Sequence, residues 1–272
     1  MFDTGASRRI ARYANNQLVG GGDQNAPQNI LIPGQRDNEK HFNLFYGIPV
    51  RLHSGVYFGF LEPFCMNDFI YTELAISRDG LNWNRFPERK KLIEYGADGT
   101  WDDETIFASP SWVKVGEEWW IYYSGWDGPH GTPIRAGTIG LAKIRKEGFA
   151  SWRGPQGGGI IATRQFTSPG GDLNLNAIVG DGEIKVRVSD ANRKPIAGFD
   201  YDDCDDLSGH ATRMSVTWNG KSLDRMREKV LQPEIFLRNA ELFTLAATTT
   251  RCVRPGERPQ RYGRSFHPRC LL

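Results

Sequence analysis

The sequence predicts an all-β protein, a partial β-propeller followed by a β-sandwich, on three observations. The first is composition: 272 residues carry 31 Gly, 8 Trp, 9 Tyr and 15 Phe in short alternating runs, with almost no segment of helical period. The second is a repeated four-strand grammar in the first half. The third is strict alternation in the second half, where "GEIKVRVSD" turns Ile184, Val186 and Val188 to one side of a strand.

The elements follow in order. "RRIARY" (8–13), "ELAISRDGLNW" (73–83) and "GLAKIRKEGFASW" (140–152) carry Ile-Ala or Leu-Ala pairs at Ala11, Ala75 and Ala142, spaced by 64 and 67 residues. Upstream of the second and third lie matching strand pairs, "FYGIPVRLHSGVYFGF" and "ASPSWVKVGEEWWIYYSG". In this alignment Pro49 corresponds to Pro110, and Val56-Tyr57 to Trp119-Trp120. Each unit reads as strand, tight turn, aromatic strand, long loop, strand with Leu-Ala, turn, and a short strand ending in Trp. Four antiparallel strands at a fixed period are the signature of propeller blades. Residues 1–153 supply about two and a half blades where a ring needs about four to eight, so further N-terminal blades are expected in full-length relatives. In "SRDGLNW", Asp79-Gly80 is expected to form a type I′ hairpin turn.

After "GPQGGG" (154–159) the period is lost, and residues 160–247 read as a β-sandwich. Within it, "LDRMREKV" (223–230) is the one expected helix, and "DYDDCDDLSGH" (200–210) a solvated turn. An EF-hand loop would need Gly sixth and Glu twelfth, which that run lacks. Residues 248–272, rich in Arg and Pro without periodicity, are expected to form a disordered basic tail.

A net charge of +2 without a clustered basic face argues against nucleic acid and against an anionic membrane surface. No run approaches the ~20 apolar residues of a membrane span. Cys65, Cys204, Cys252 and Cys270 form no CxxC pair, so neither zinc nor a dense disulfide framework is signalled. Small neutral polar ligands fit this chain better.

The series "FYGIPV", "LAISRDGLNW", "WDDETIFASPSWVKVGEEWWIYYSGWDGPHG", "IGLAKIRKEGFASW" and "GEIKVRVSDANRKPIAGFDYDDCDDLSGH" resembles the propeller-plus-sandwich proteins related to glycoside hydrolase families 32 and 43. The likeness runs from about residue 8 to residue 247. It implies a five-bladed propeller carrying a sandwich and an oligo- or polysaccharide substrate, and the reaction expected is carboxylate acid/base chemistry with no organic cofactor; no metal site is expected, although His130 would suit a metal ligand as well as a sugar hydroxyl. Such families draw three acids from successive early blades. The Asn-Asp-Pro motif of the family-32 type first blade has no counterpart here.

Acids just before the innermost strand of a blade are placed to converge with those of neighbouring blades. Asp102, Asp103 and Glu104 occupy that place in one unit, with Glu104 the expected general acid and the other two further catalytic candidates. Asp37 and Glu39 occupy it in the preceding unit. The alternative reading of "WDDE" is a solvated loop in which Asp102 caps its own backbone. Asp127 and His130 follow the aromatic strand where the chain returns to the channel mouth. With Trp126 and Glu62 they complete the expected substrate-binding set, while Asp68, Glu73 and Tyr71 are further candidates for a subsite. A non-catalytic sugar binder, or an inactive fragment, is the rival reading.

Overall fold

The computed structural model describes residues 8–13, 27–39, 44–64 and 68–247. The expected tail and Cys65, Cys252 and Cys270 lie outside these residues. The chain is all-β and divides into two compact units, Met1–Ile144 and Arg145–Leu272.

The first unit holds two four-stranded antiparallel sheets. In the first sheet Val50–His53, Val56–Leu61, Glu73–Ser77 and Trp83–Arg85 lie side by side in chain order. Its opening hairpin turns through Ser54 and Gly55, both at positive φ, the backbone of a type I′ turn. The expected type I′ turn at Asp79-Gly80 does not form, because only Gly80 has positive φ and five residues separate the strands. The Asp79 carboxylate instead accepts from the Leu81 and Asn82 N–H groups at 2.8 and 2.7 Å, which holds it well below the usual carboxylate range and braces the loop from inside.

In the second sheet Thr105–Ala108 and Val113–Val115 both pair with the long strand Glu118–Trp126, whose other edge takes Gly137–Arg145. The hairpin ends set the register of the repeat. His53 pairs with Val56 and Val115 with Glu118, so Tyr57 corresponds to Trp119 and Phe58 to Trp120. Counted from the turn, the alignment read from the sequence is one residue out. Burial follows that alignment nonetheless: the buried Val56 and Phe58 match the buried Trp119 and Ile121, so the two hairpins bury opposite parities relative to their turns. Phe58 and Phe60 pack on Trp112 at the buried face of the second sheet, with ring centroids 5.6 and 5.7 Å apart. The opposite face of the second sheet, with Val113, Val115, Tyr122, Ile139 and Leu141, is exposed.

The short strand ending in Trp152 was expected to close the second repeat. Trp152 and Arg153 pair instead with Leu242 and Glu241 of the second unit. An ion pair between Arg153 and Glu241 accompanies that pairing.

The second unit also holds two four-stranded sheets. One runs Trp152–Arg153, Glu241–Ala247, Leu173–Gly180, Gly209–Val216; the other centres on Val230–Arg238, paired with Gly159–Ala162, Phe166–Thr167 and Glu183–Ser189. A single buried apolar cluster takes residues from both, among them Leu173 and Leu175 from one and Ile184, Val186, Val188 and Ile235 from the other. The alternation read at 184–188 thus faces this core. Trp218 is fully buried in it and donates its indole N–H to the Val186 carbonyl at 2.7 Å. The expected helix at 223–230 is a single 3₁₀ turn, Leu223–Met226, capped by the Ser222 hydroxyl. Its two buried residues stand three apart, the spacing that eclipses side chains in a 3₁₀ turn, and the next strand starts at Val230. The acidic run at 200–210 turns on itself where the Asp200 N–H donates to Asp203 at 3.1 Å, and it also holds the Asn219–Gly220 turn, Asp203 accepting from Asn219 and Asp205 from Gly220.

Candidate functional site in the first unit

The acids of the first unit fall into two groups, those that hold the fold and those without a partner. Asp37 belongs to the first. It sits in a short helix, Gln35–Glu39, accepts from the Gly34 N–H at 2.8 Å, and is ion-paired to Arg85 at 2.8 Å. The same guanidinium grips Glu73 with two bonds of 2.8 and 2.7 Å, and Arg89 lies 3.5 Å from Glu73. Three of these charges, Asp37, Arg85 and Glu73, are almost entirely out of water. Buried charges persist only in such paired networks. Tyr71 is buried beside them, and burial with the Glu73 carboxylate pushes its hydroxyl well above the usual range. Glu39 is exposed at the helix end and accepts from Gln35.

The stretch "WDDE" is divided. Asp102 is buried and accepts from the Tyr123 hydroxyl at 2.7 Å and the Thr100 hydroxyl at 3.2 Å. Burial, then the bond to Asp102, pushes the Tyr123 hydroxyl up to about 12. Asp103 closes the preceding loop by accepting from the Gly99 N–H at 2.7 Å, and leaves its other oxygen buried without a partner. Glu104 makes no side-chain bond to hold the fold, and its Oε2 is likewise buried and unpaired. Its carboxyl is raised by burial first, then by the negative charges of Asp103 and Asp127. Asp127 itself accepts from the Ala136 N–H at 2.7 Å, tying off its own loop.

His130 stands at the centre of a ring cluster that the sequence did not single out. Tyr46 lies 4.7 Å from it, Phe64 5.9 Å and Phe107 6.3 Å, all edge to face, and Phe107 meets Trp126 at 5.5 Å. Edge-to-face packing fixes rings in place while leaving faces available. Position alone places these aromatics: Phe107 lies on the strand that follows Glu104, Phe64 on the segment after Glu62, and Tyr46 opposite both. The His130 N–H of the main chain donates to the Asp68 carbonyl at 2.8 Å. Burial, then Arg135, lowers the imidazole's pKa, so the ring is neutral at physiological pH, and its Nδ1 has no partner.

Glu62 adjoins this cluster. The Tyr46 N–H donates to the Glu62 carbonyl at 2.8 Å and the Glu62 N–H donates to the Gly47 carbonyl at 2.9 Å. Two residues therefore oppose one, a β-bulge, a device that re-aims side chains beside sites. The Glu62 side chain is buried, and its carboxylate has no hydrogen bond or ion pair among the described residues. Burial alone raises its pKa to about 7.

The cluster links these candidates by neighbours: Glu62 adjoins it through the Tyr46 backbone, and Glu104 through its N–H, which donates to the Trp126 carbonyl at 3.4 Å, with Asp127 close enough to raise the Glu104 carboxyl, whereas Asp37 is held by Arg85 and Glu39 by Gln35. Asp102 and Asp103 brace the loop before Glu104. Among the described residues no group of three His, Cys, Asp or Glu side chains is arranged to hold a metal ion, and no helix is long and apolar enough to cross a membrane. Compared with known protein families and with curated proteins, the chain finds no match.

Proposed function

We propose that the chain acts on carbohydrate, with the two sheets of the first unit as blades of a five-bladed propeller type and the second unit as a β-sandwich. One observation carries the reading. Tyr46, Phe64, Phe107 and Trp126 gather around a neutral His130, and the carboxylates beside them, Glu62 and Glu104, have no structural task. Aromatic faces with a few convergent polar groups suit a sugar ring, which is apolar on its C–H face and polar at its rim. Carboxyls raised above their ordinary range are what glycosidic cleavage requires of its acid. The reaction proposed is hydrolysis of a glycosidic bond in an oligo- or polysaccharide, the activity implied by the resemblance in "WDDETIFASPSWVKVGEEWWIYYSGWDGPHG".

A non-catalytic sugar binder is the second reading, favoured by the commitment of Asp37 to Arg85 and of Asp102 to Tyr123. Calorimetric titration of the full chain with a panel of oligosaccharides tests the shared part. At least one sugar should bind, and Trp126→Ala should weaken it roughly tenfold, the order of one aromatic contact. Binding unchanged by Trp126→Ala, or no binding by the parent, contradicts the proposal. Product analysis of the same mixtures separates hydrolysis from binding alone.

A further inference from the structure

We propose that Glu62, and not an acid of the "WDDE" stretch, is the proton donor of this site, seated against the Tyr46–Gly47 bulge so that its carboxyl reaches the oxygen of the bond to be broken. The inference rests on the carbohydrate reading above and adds to it a residue and a role.

The geometry has three parts. Glu62 is 6 % exposed, yet, alone among the buried acids described in the first unit, its carboxylate meets no cation or hydrogen-bond donor among the described residues. Asp37 and Glu73 share Arg85, and Asp102 holds Tyr123 and Thr100. A buried carboxylate without a partner is costly, so it persists where it has another use. The second part is room. A Cβ at position 47 would lie 2.5 Å from Glu62 Oε2, so only glycine lets the carboxyl lie where it does. The third is position. The bulge sets the Glu62 backbone against Tyr46, and the Tyr46 ring packs on His130 and Phe64, so the residue stands beside the aromatic cluster proposed to seat the sugar.

The surroundings keep the proton on. Tyr46 faces Glu62 from the opposing strand, neutral His130 lies beyond it, and Arg8 stacks over the outer face of Tyr46 at 5.1 Å. No charge among these contributes to the Glu62 titration, which burial alone moves. Glu104 differs: neighbouring carboxylates contribute to its raised pKa. In the step proposed, the Glu62 O–H proton passes to the glycosidic oxygen, the bond from that oxygen to the anomeric carbon breaks with its electron pair going to the oxygen, and a water oxygen bonds to the anomeric carbon. The proton released by that water goes to the Glu104 carboxylate.

Matched phenyl and dinitrophenyl glycosides of the common sugars test this on the full chain. Dinitrophenolate leaves without protonation, whereas phenolate needs the acid. For whichever sugar the parent cleaves, Glu62→Gln should lower phenyl glycoside turnover about 10²- to 10⁴-fold and leave dinitrophenyl glycoside turnover within a few-fold. Gly47→Ala, which displaces the carboxyl without removing it, should show the same selective loss in milder form. Glu104→Gln should slow both substrates. Equal loss on both substrates in Glu62→Gln, or no loss, overturns the assignment and leaves hydrolysis standing. A parent that cleaves neither substrate of any pair overturns hydrolysis and the assignment together. Thermal melting of each variant shows whether a lost rate reflects a lost fold.

Discussion

The two units bury different things. In the second, one cluster of apolar side chains from both sheets surrounds Trp218, and its principal buried polar contact is satisfied within the core. In the first, the buried set includes Asp37, Glu62, Glu73 and Asp102, and buried atoms of Asp103, Glu104 and His130 have no partner. Apolar burial stabilises in proportion to area, while each unpaired polar group withdrawn from water costs free energy. The second unit is apolar at its centre, with Arg187 Nε and the Tyr201 hydroxyl as its buried atoms without partners; the first buries a set of acids, and proteins retain such groups where they have a chemical use.

The comparison breaks most readily by cutting each unit at its centre. Trp218→Ala should destabilise the second unit by about 3–5 kcal/mol. Arg85→Met, which strands Asp37 and Glu73 as unpaired buried charges, should cost the first unit a similar amount, about 3–5 kcal/mol. Urea unfolding followed by fluorescence measures both. Comparable losses would show that the polar network of the first unit replaces the apolar core of the second, whereas a negligible effect of Arg85→Met would remove the distinction.

Glu62 sharpens it with the opposite sign. Its folded pKa of about 7 lies above the ordinary glutamate value of 4.5, so between those values the folded state holds a proton that the unfolded state has lost. Stability from this group is therefore greatest at low pH and falls as pH rises towards 7. Glu62→Gln, which mimics the protonated acid, should flatten that fall and raise the melting temperature at pH 8. Function, on this account, is retained against stability. A melting temperature unchanged at pH 8 would contradict it.

Smaller effects follow at the loop and the surface. Asp102→Asn weakens the bond from Tyr123 and should cost about 1 kcal/mol, read from the denaturation midpoint. Tyr122→Ser with Ile139→Ser, on the exposed face of the second sheet, should leave stability within about 0.5 kcal/mol and reduce self-association in size-exclusion chromatography, because contiguous exposed apolar residues mark contact surfaces. Unchanged elution would show that this face does not drive association.

Local chemistry made much of this readable in advance. The paired-strand repeat, the Ser54-Gly55 hairpin and the inward set Ile184, Val186, Val188 depend on neighbours within a few residues, and sequence carries that information. Partners far apart in the chain were not readable. Asp37 occupied the place expected of a site acid, but Arg85, 48 residues away, claims it. Trp152 carried the mark of a fourth blade strand, yet its hydrogen bonds go to a strand some ninety residues on. Counted from the hairpin turn, the two repeats bury opposite parities, which depends on what packs over each sheet. Within the candidate site, His130, Trp126 and Glu104 were legible as polar or aromatic residues at a loop mouth. The isolation of Glu62 was not, because it depends on what does not approach a side chain.

The most direct measurement is the titration of Glu62 itself, followed by carboxyl ¹³C shifts in glutamate-labelled full-length chain, with Glu62→Gln assigning the resonance. A midpoint near 7, moved by a bound oligosaccharide, is the result predicted. A midpoint near the ordinary 4.5, indifferent to sugar, would show that Glu62 is solvated and unremarkable, and would contradict the account of the first unit as the seat of the chemistry.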